Sequence, residues 1–517
     1  MRMNRKEFLG LVGTGAAASM AAACGADAPP ASAEPAPGAA AAKPAKKEVQ
    51  SEAIKGTTDA VRRFITSSNL QSMPADVVTQ GRRCLIDGFG VLLAGSTAEG
   101  SHILRRYAQK VSGAAEATVL GREPIVVSAA HAALANAGAG HALDYDDTQL
   151  SSTPDRTFGL LTHPTTPALS AALAVAERTN ASGAAFLEAY IMGVEVACKM
   201  AETIDPNHYE RGFHSTGTFG VFGAATAAGK LMKLNDRQLA HMLAIAASLS
   251  AGIRVNFGSM SKPLNAARAS ENGVFAAELA SQGFTGGDFG LDGKWGYFQV
   301  YGGGADLGRL IGKLGNPWAI VTPGVSFKPY PCGSLSHPSM DAMLKVVVDN
   351  DLKPEQIKAV RLRAGNNILE PLRYTIAKTE LEAKFSVPFL MSAIILQRRA
   401  GMREFTDEFV ASAPVQAMMP KVTAVHDLEI EKQGFDKIRS VVEVDLVDGR
   451  KLVQPSDDRY RGGPDNPFSR ADLQAKFEDT AQLVLPQAKL GHAFATIESV
   501  DSLGSVRALI QALKPTA

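Results

Sequence analysis

The apolar positions of this chain change rhythm once, near residue 320. From about 52 to 320, Ala-, Leu- and Val-rich stretches at 55–70, 76–95, 127–142, 167–179, 183–203, 217–232, 236–251 and 265–282 have the length and spacing of helices. Several are apolar nearly all round, as expected of helices buried inside a bundle. Their many Ala and Gly residues let neighbouring helices approach closely. Asn235 followed by Gln238 is a capping-box pair that satisfies the first amides of the helix after it. Beyond Pro323 the pattern alternates. Residues 357–365 and 421–430 read as strands, and 440–454 as a hairpin turned at Asp448-Gly449. With a helix at 381–398 among them, this part predicts a smaller α+β domain over 322–456. Helical spacing returns at 469–513, so 457–517 is expected to pack back on the helical domain of 52–321. The predicted fold class is mainly α, with a second α+β domain.

Length and composition narrow the functional classes. A chain of 517 residues needs more than one core. Its net charge is +1 with no long basic run, which leaves no electrostatic footprint for nucleic acid and favours small-molecule chemistry. The four cysteines (Cys24, Cys84, Cys198, Cys332) have no zinc or iron–sulfur spacing and are too sparse for a disulfide framework. At the N-terminus, Arg2, Arg5 and Lys6 precede an apolar run over 8–23, shorter than the roughly 20 residues that span a bilayer. Residues 1–24 therefore read as a signal peptide. NRKEFL resembles a twin-arginine signal with Lys6 in the second arginine's place, and small residues before Cys24 look like a lipoprotein cleavage box. Residues 25–51 are an Ala/Pro-rich linker. The expectation is an exported protein, periplasmic or membrane-anchored, with Cys24 as the possible lipid anchor.

Seven of the ten histidines lie between His102 and His241. There the segment HALDYDDT (141–148) gathers His141, Asp144, Asp146, Asp147 and Thr148, with His163 following in LLTHPTTPAL. Such a knot suits a divalent cation or proton transfer. It lacks the glycine and distal glutamate of an EF-hand, and proton transfer with carboxylate orientation is the preferred reading, with no metal and no cofactor. GFHSTGTFG puts His214 just before a helix start, where Ser215 or Thr216 can cap and helix amides favour a substrate carboxylate. The glycines around it match neither a dinucleotide fingerprint nor a P-loop. Ser259-Met260-Ser261-Lys262 matches the S-x-x-K of serine hydrolases, but companion elements are missing, and Lys262 is better used as a carboxylate-binding cation. FKPYPCGSLSHP holds Lys328, Cys332 and His337 at the change of pattern, and Cys332 reads as inert rather than nucleophilic.

Taken in order, HALDYDDT (141–148), THPTTPALSAALAVAE (162–177), GFHSTGTFG (212–220), SKPLNAARASENG (261–273), FKPYPCGSLSHP (327–338) and GGPDNPFSRADLQAKF (462–477) resemble the MmgE/PrpD family. The resemblance implies a helical domain completed by the C-terminal helices, an α+β lid, a homodimer, and metal-free action on di- and tricarboxylates between the two domains. It places active-site positions on Asp144, Thr148, His163, His214, Lys262 and Lys328. A family tyrosine in the KFSVPF motif falls on Phe389, which would remove a hydroxyl near the substrate, and the SSTPDRTFGL stretch after the knot looks like an insertion. The expected function is a lyase of 2-methylcitrate dehydratase type, with His163 and His214 as acid and base, Asp144 orienting a histidine, and Thr148 and Lys328 binding substrate. A decarboxylase or epimerase of the same family, or a carboxylate-binding protein without turnover, are the alternatives; an S-x-x-K hydrolase is a remote one.

Overall fold

The computed structural model describes residues 54–150 and 162–515. The expected signal peptide, lipid anchor and linker lie outside the described residues, as does the SSTPDRTFGL stretch. Among the described residues no helix is long and apolar enough to cross a membrane.

The first part is a helical bundle. Its principal helices are α1 (Thr57–Ser67), α2 (Ala75–Gly95), α3 (Glu99–Val111), α4 (Ala129–Ala142), α5 (Thr165–Thr179), α6 (Gly183–Ile204), α7 (Ser215–Leu231), α8 (Asp236–Leu249) and α9 (Ser261–Ser281). A two-stranded antiparallel ribbon, β1 (Ala117–Val119) with β2 (Ile125–Val127), sits between α3 and α4. Helix α7 packs against α5, α6 and α9, while α4 packs against α2, α5 and α9. All but one residue of α7 are buried, and α5 is buried over Thr165–Ala176, so these helices carry almost no polar face. Close approach depends on small residues. A Cβ on Gly193 of α6 would lie 2.6 Å from the Gly223 carbonyl oxygen of α7, and one on Gly223 2.8 Å from that of Gly193. Either side chain would force the two helices apart. Helix α8 begins with the capping box anticipated at Asn235 and Gln238.

The second part is α+β. A four-stranded sheet runs in the order β4 (Val422–His426), β3 (Ile357–Ala364), β5 (Ser440–Leu446), β6 (Lys451–Pro455). Strand β3 pairs parallel with β4 and antiparallel with β5, and β5 pairs antiparallel with β6 across the Asp448-Gly449 turn. Helices α10 (His337–Asp349) and α11 (Val387–Gln397) pack on each other, α10 against β5 and β6 and α11 against β4. The sheet-and-helix core is separate from that of the bundle. Of the terminal helices α12 (Arg470–Ala481), α13 (Gln487–Glu498) and α14 (Val506–Ala512), α12 and α13 contact α2, and α14 contacts α5 and α6.

Two differences from the sequence reading stand out. Helix α3 and the β1–β2 ribbon were not anticipated, because EGSHILRRYAQKV is strongly charged and three-residue strands carry too little pattern. Residues 421–430 are only half strand: β4 ends at His426, and Asp427 caps a short helical turn, its side chain accepting from Glu429 N and Ile430 N.

Candidate active site

Helix α4 ends where the knot begins. Asp144 adopts a left-handed backbone (φ 52°) two residues beyond the helix, a conformation Asp tolerates because its short side chain bonds locally. This turn sends the chain back into the bundle, so His141, Asp144, Asp146, Asp147 and Thr148 are all buried. Backbone hydrogen bonds then stitch the loop to the segment leading into the second part. Thr148 N donates to the Ser326 carbonyl at 2.9 Å, and Ser326 N to that of Thr148 at 2.8 Å. Lys328 therefore arrives beside Asp144 as part of the same small ladder.

Asp144 is the charge centre. Its Oδ1 accepts from Lys262 Nζ at 2.5 Å and Lys328 Nζ at 2.6 Å, and Lys328 also reaches the Asp144 carbonyl at 2.9 Å. Desolvation would raise the Asp144 carboxyl, but Lys262 and Lys328 hold it well below its ordinary value. Burial in turn pulls the Lys262 ammonium down, against the pull of Asp144. Asp144 contacts no histidine in these bonds, so it does not orient one as the sequence suggested. The reason is tertiary: α9 and the 326–328 segment bring two ammonium groups to it first.

The histidines cluster, with His141 edge-on to a half-buried His163 and stacked on His214. His141 sits 4.8 Å from His163 and 5.5 Å from His214 between ring centroids. His163 Nδ1 donates to the Asp147 carbonyl at 2.8 Å, with Thr148 Oγ1 at 3.1 Å. A carbonyl can only accept, so in neutral His163 the Nε2 keeps its lone pair. His214 has the opposite tautomer: Asn265 Nδ2 donates to its Nδ1 at 2.9 Å, leaving the proton on Nε2. His214 is the residue preceding α7, but neither Ser215 nor Thr216 caps the helix; Thr216 Oγ1 accepts from His163 N at 3.2 Å instead. Burial first, then Lys328, holds His163 well below the usual imidazole range; burial, His141 and Lys262 do the same to His214.

Asp144, Thr148, His163, His214, Lys262 and Lys328 line one pocket, although up to 184 residues separate them. Sequence reasoning missed the rest of its wall. Thr216 and Ser334 add hydroxyls, Tyr209 a phenol, and Phe257, Leu335, Leu372 and Phe385 an apolar side. The Lys262 ammonium lies 5.4 Å from the Phe257 ring centroid and 5.6 Å from that of Phe385. Phe385, four residues before the expected position, is the aromatic of KFSVPF at the pocket. Phe389 is fully buried in the lid core against Phe405 and Phe409, so its missing hydroxyl is not a loss to this wall.

Other candidates separate from the site. Ser259 Oγ donates to the Asn256 carbonyl at 2.8 Å while Lys262 is committed to Asp144, so the S-x-x-K pair is not assembled. Burial pushes the Cys332 thiol up to about 12, which suppresses any thiolate. His337 bridges Tyr460 Oη at 2.5 Å and the Cys332 carbonyl at 3.2 Å, a lid-core role. His141, Asp146 and His163 bring ligand-type atoms within 4.8 Å of one another. Within the trio His141 bonds Asp146, which also accepts from Thr166 Oγ1, while His163 Nδ1 lies 3.8 Å from Asp146 and donates to the Asp147 carbonyl.

Fold and pocket together define a two-part, mainly helical protein whose bundle supplies Lys262 and the histidines, and whose connecting segment supplies Lys328, to a pocket walled in part by its α+β region. Residues 60–310 match the MmgE/PrpD N-terminal domain and residues 330–500 the MmgE/PrpD C-terminal domain. The chain belongs to the MmgE/PrpD family. It is 25% identical to the cis-aconitate decarboxylase of Homo sapiens over 472 residues, covering 89% of this chain and 95% of that protein. It is likewise 25% identical to the cis-aconitate decarboxylase of Mus musculus, over 89% of this chain and 94% of that one. A cis-aconitate decarboxylase-like protein of Aspergillus oryzae is 24% identical over 86% and 95% of the two chains.

Proposed function

We propose that this protein is a lyase acting on a di- or tricarboxylate, with His163 as the proton-transfer residue and His214 as a neutral hydrogen-bond donor. The observation that carries the reading is the pair of opposite tautomers facing one lysine-lined pocket. An imidazole whose Nδ1 already accepts a hydrogen bond cannot give up its Nε2 proton without becoming imidazolate. His214 is thus suited to polarise a carboxylate and not to protonate carbon. His163 can take and return a proton at Nε2, because its Nδ1–H stays anchored.

For a cis-aconitate-like substrate, which the relatives' activity supports, the chemistry balances as follows. Breaking the bond to the methylene carboxylate releases carbon dioxide, shifts the double bond, and leaves an electron pair on the carbon beside a remaining carboxylate. Lys262, Lys328 and His214 stabilise the charge that spreads into that carboxylate. Protonated His163 delivers its proton to the carbon and is recharged from solvent. The substrate's own negative charge raises the His163 pKa on binding, opposing the lysines that lower it in the empty pocket. Dehydration of a hydroxy tricarboxylate, as in 2-methylcitrate dehydratase, is the second reading. It is favoured by the lone pair on His163, which can abstract a proton. Action as a homodimer remains part of the proposal.

The test is a panel of hydroxy and unsaturated di- and tricarboxylates in deuterated water, followed by proton NMR. Loss of a carboxylate with one deuteron incorporated marks decarboxylation, and a new alkene signal without carbon dioxide marks dehydration. Turnover of neither kind by folded protein, with no carboxylate binding, refutes the proposal.

A further inference from the structure

Asp146 takes no part in that scheme, yet among the described residues it is the carboxylate that pairs with His163, at 3.8 Å. It is fully buried and is not among the residues that line the pocket, whereas His163 is. Its two oxygens accept from His141 Nδ1 at 3.0 and 2.9 Å, one also accepts from Thr166 Oγ1 at 2.9 Å, and the other lies 3.8 Å from His163 Nδ1. Ion pairs of Asp146 among the described residues are with these two histidines alone. The nearby lysines are taken: Lys262 and Lys328 hold Asp144, and Lys476 holds Asp87 at 2.6 Å. Buried carboxylates are ordinarily matched by a fixed cation. Here two imidazoles and a hydroxyl are its direct partners, and among the described residues no lysine pairs with it, Lys328 acting only from farther off.

We propose that Asp146 is the counterion that lets His163 change charge during turnover, and that His141 is the clamp setting how strongly Asp146 acts. Both are positioning residues, because neither touches substrate. The inference rests on His163 being the proton-transfer group. When His163 gains a proton, the imidazolium forms beside the Asp146 carboxylate, within a pocket where Lys262 and Lys328 oppose it. The other titratable groups whose charge acts on His163 are Asp144, His141 and His214; Asp147 meets it through its peptide carbonyl, and Asp87 acts on Asp146. His141 presents Nδ1–H to the same carboxylate, and its own Nε2 has no partner among the described residues. It therefore competes with His163 for Asp146 and fixes the carboxylate's orientation. This arrangement differs from an Asp–His pair acting on substrate, since the histidine that clamps the carboxylate is not the one that meets the ligand.

The competition makes a signed prediction. Asp146→Asn removes the charge and makes the His163 imidazolium harder to form. His141→Phe keeps a ring of similar size, releases Asp146 to His163, and makes it easier. The full-length protein is labelled with 13Cε1-histidine, His163 is assigned from a His163→Asn spectrum, and the titration is followed free and saturated with tricarballylate, which has neither a double bond nor a hydroxyl to lose. The expected result is a His163 titration at lower pH in Asp146→Asn and at higher pH in His141→Phe. Activity on the wild-type substrate should fall about 10²–10⁴-fold in kcat for Asp146→Asn, as for removal of an orienting carboxylate elsewhere, with KM nearly unchanged. Asp146→Glu should recover part of it. Folded variants with unshifted His163 titrations, or shifts of the same sign, overturn the inference, as does a kcat loss without a shift. If Asp146→Asn does not fold, the upward shift in His141→Phe decides alone. Wild-type protein inert to every carboxylate sinks the functional reading instead, and the ligand-free titration still tests the counterion.

Discussion

Replacing Lys262 with Met takes away one of two ammonium groups that share Asp144 Oδ1. Two lysines against one aspartate, with the histidines neutral, give the pocket a fixed charge of +1; the substitution brings it to 0. Two unit charges about 4 Å apart interact by about 4 kcal/mol at an effective dielectric near 20. Truncating one partner of a buried, hydrogen-bonded charge pair costs about 2–5 kcal/mol. The middle of that range applies here, because Asp144 keeps Lys328 as a partner, which then has less to offer a ligand. The expected loss is about 10²–10³-fold in kcat/KM, roughly 3–4 kcal/mol of transition-state stabilisation. Stability should fall by only about 1–2 kcal/mol, since Asp144 keeps Lys328 and Met fills most of the lysine's volume beside Phe257 and Phe385. Steady-state kinetics on the substrate found by NMR, with thermal denaturation alongside, measures both. The double variant with Lys328→Met leaves a buried unpaired carboxylate, costs a further 3–5 kcal/mol of stability or so, and is non-additive with the single changes. Lys262→Met within threefold of wild type in kcat/KM, or an additive and stable double variant, refutes this account of the pocket's charge.

Two further outcomes follow from burial. Phe389→Tyr should leave kcat and KM unchanged and lower stability by about 1–3 kcal/mol, because the new hydroxyl enters the apolar lid core; a gain of activity would place position 389 at the substrate after all. His141, His163, His214 and His337 are all held neutral by burial, whereas in the unfolded chain they protonate near pH 6.5. The unfolded state then binds more protons below that pH, so the histidines' contribution to stability is full above about 6.5 and is lost as pH falls, at about 1.4 kcal/mol per pH unit for each group, while the Asp147 carboxyl, pushed by burial up to about 8, and that of Glu195, pushed up to about 7, act in the opposite direction. Denaturant unfolding of wild type and of His337→Phe at pH 7.5 and 5.5 isolates the histidine part: the variant should lose less stability on going to 5.5, and an equal or larger loss would refute it.

The legible parts of the sequence were those where one physical rule dominates. All-round apolar helices such as α7 could be read from composition, and the β5–β6 hairpin from Asp-Gly, because burial and turn chemistry act locally. Strand β3 alternates visibly, but its position between a parallel and an antiparallel neighbour depends on where the chain returns. The site followed the same division. Residue types at Asp144, Thr148, His163, His214, Lys262 and Lys328 pointed to polycarboxylate chemistry, and the pocket brings them together. What each does depends on partners from other elements: two lysines on Asp144, Asn265 on His214, and a peptide carbonyl on His163. Tyr209 carried no signal, and Ser334 none beyond its place in FKPYPCGSLSHP, since a phenol or hydroxyl looks alike at the surface, in a core or beside a ligand.

The two-way backbone bond between Thr148 and Ser326 has a consequence for how such a pocket changes over evolutionary time. It makes Asp144, Thr148 and Lys328 one mechanical piece, while Leu372 and Phe385 arrive on a separate scaffold. Recognition of carboxylate charge is therefore inherited as a fixed block, and recognition of shape is left to residues that can drift without disturbing it. New substrates of this architecture are reached most cheaply by changes in the lid wall, with the lysines and their shared aspartate left in place.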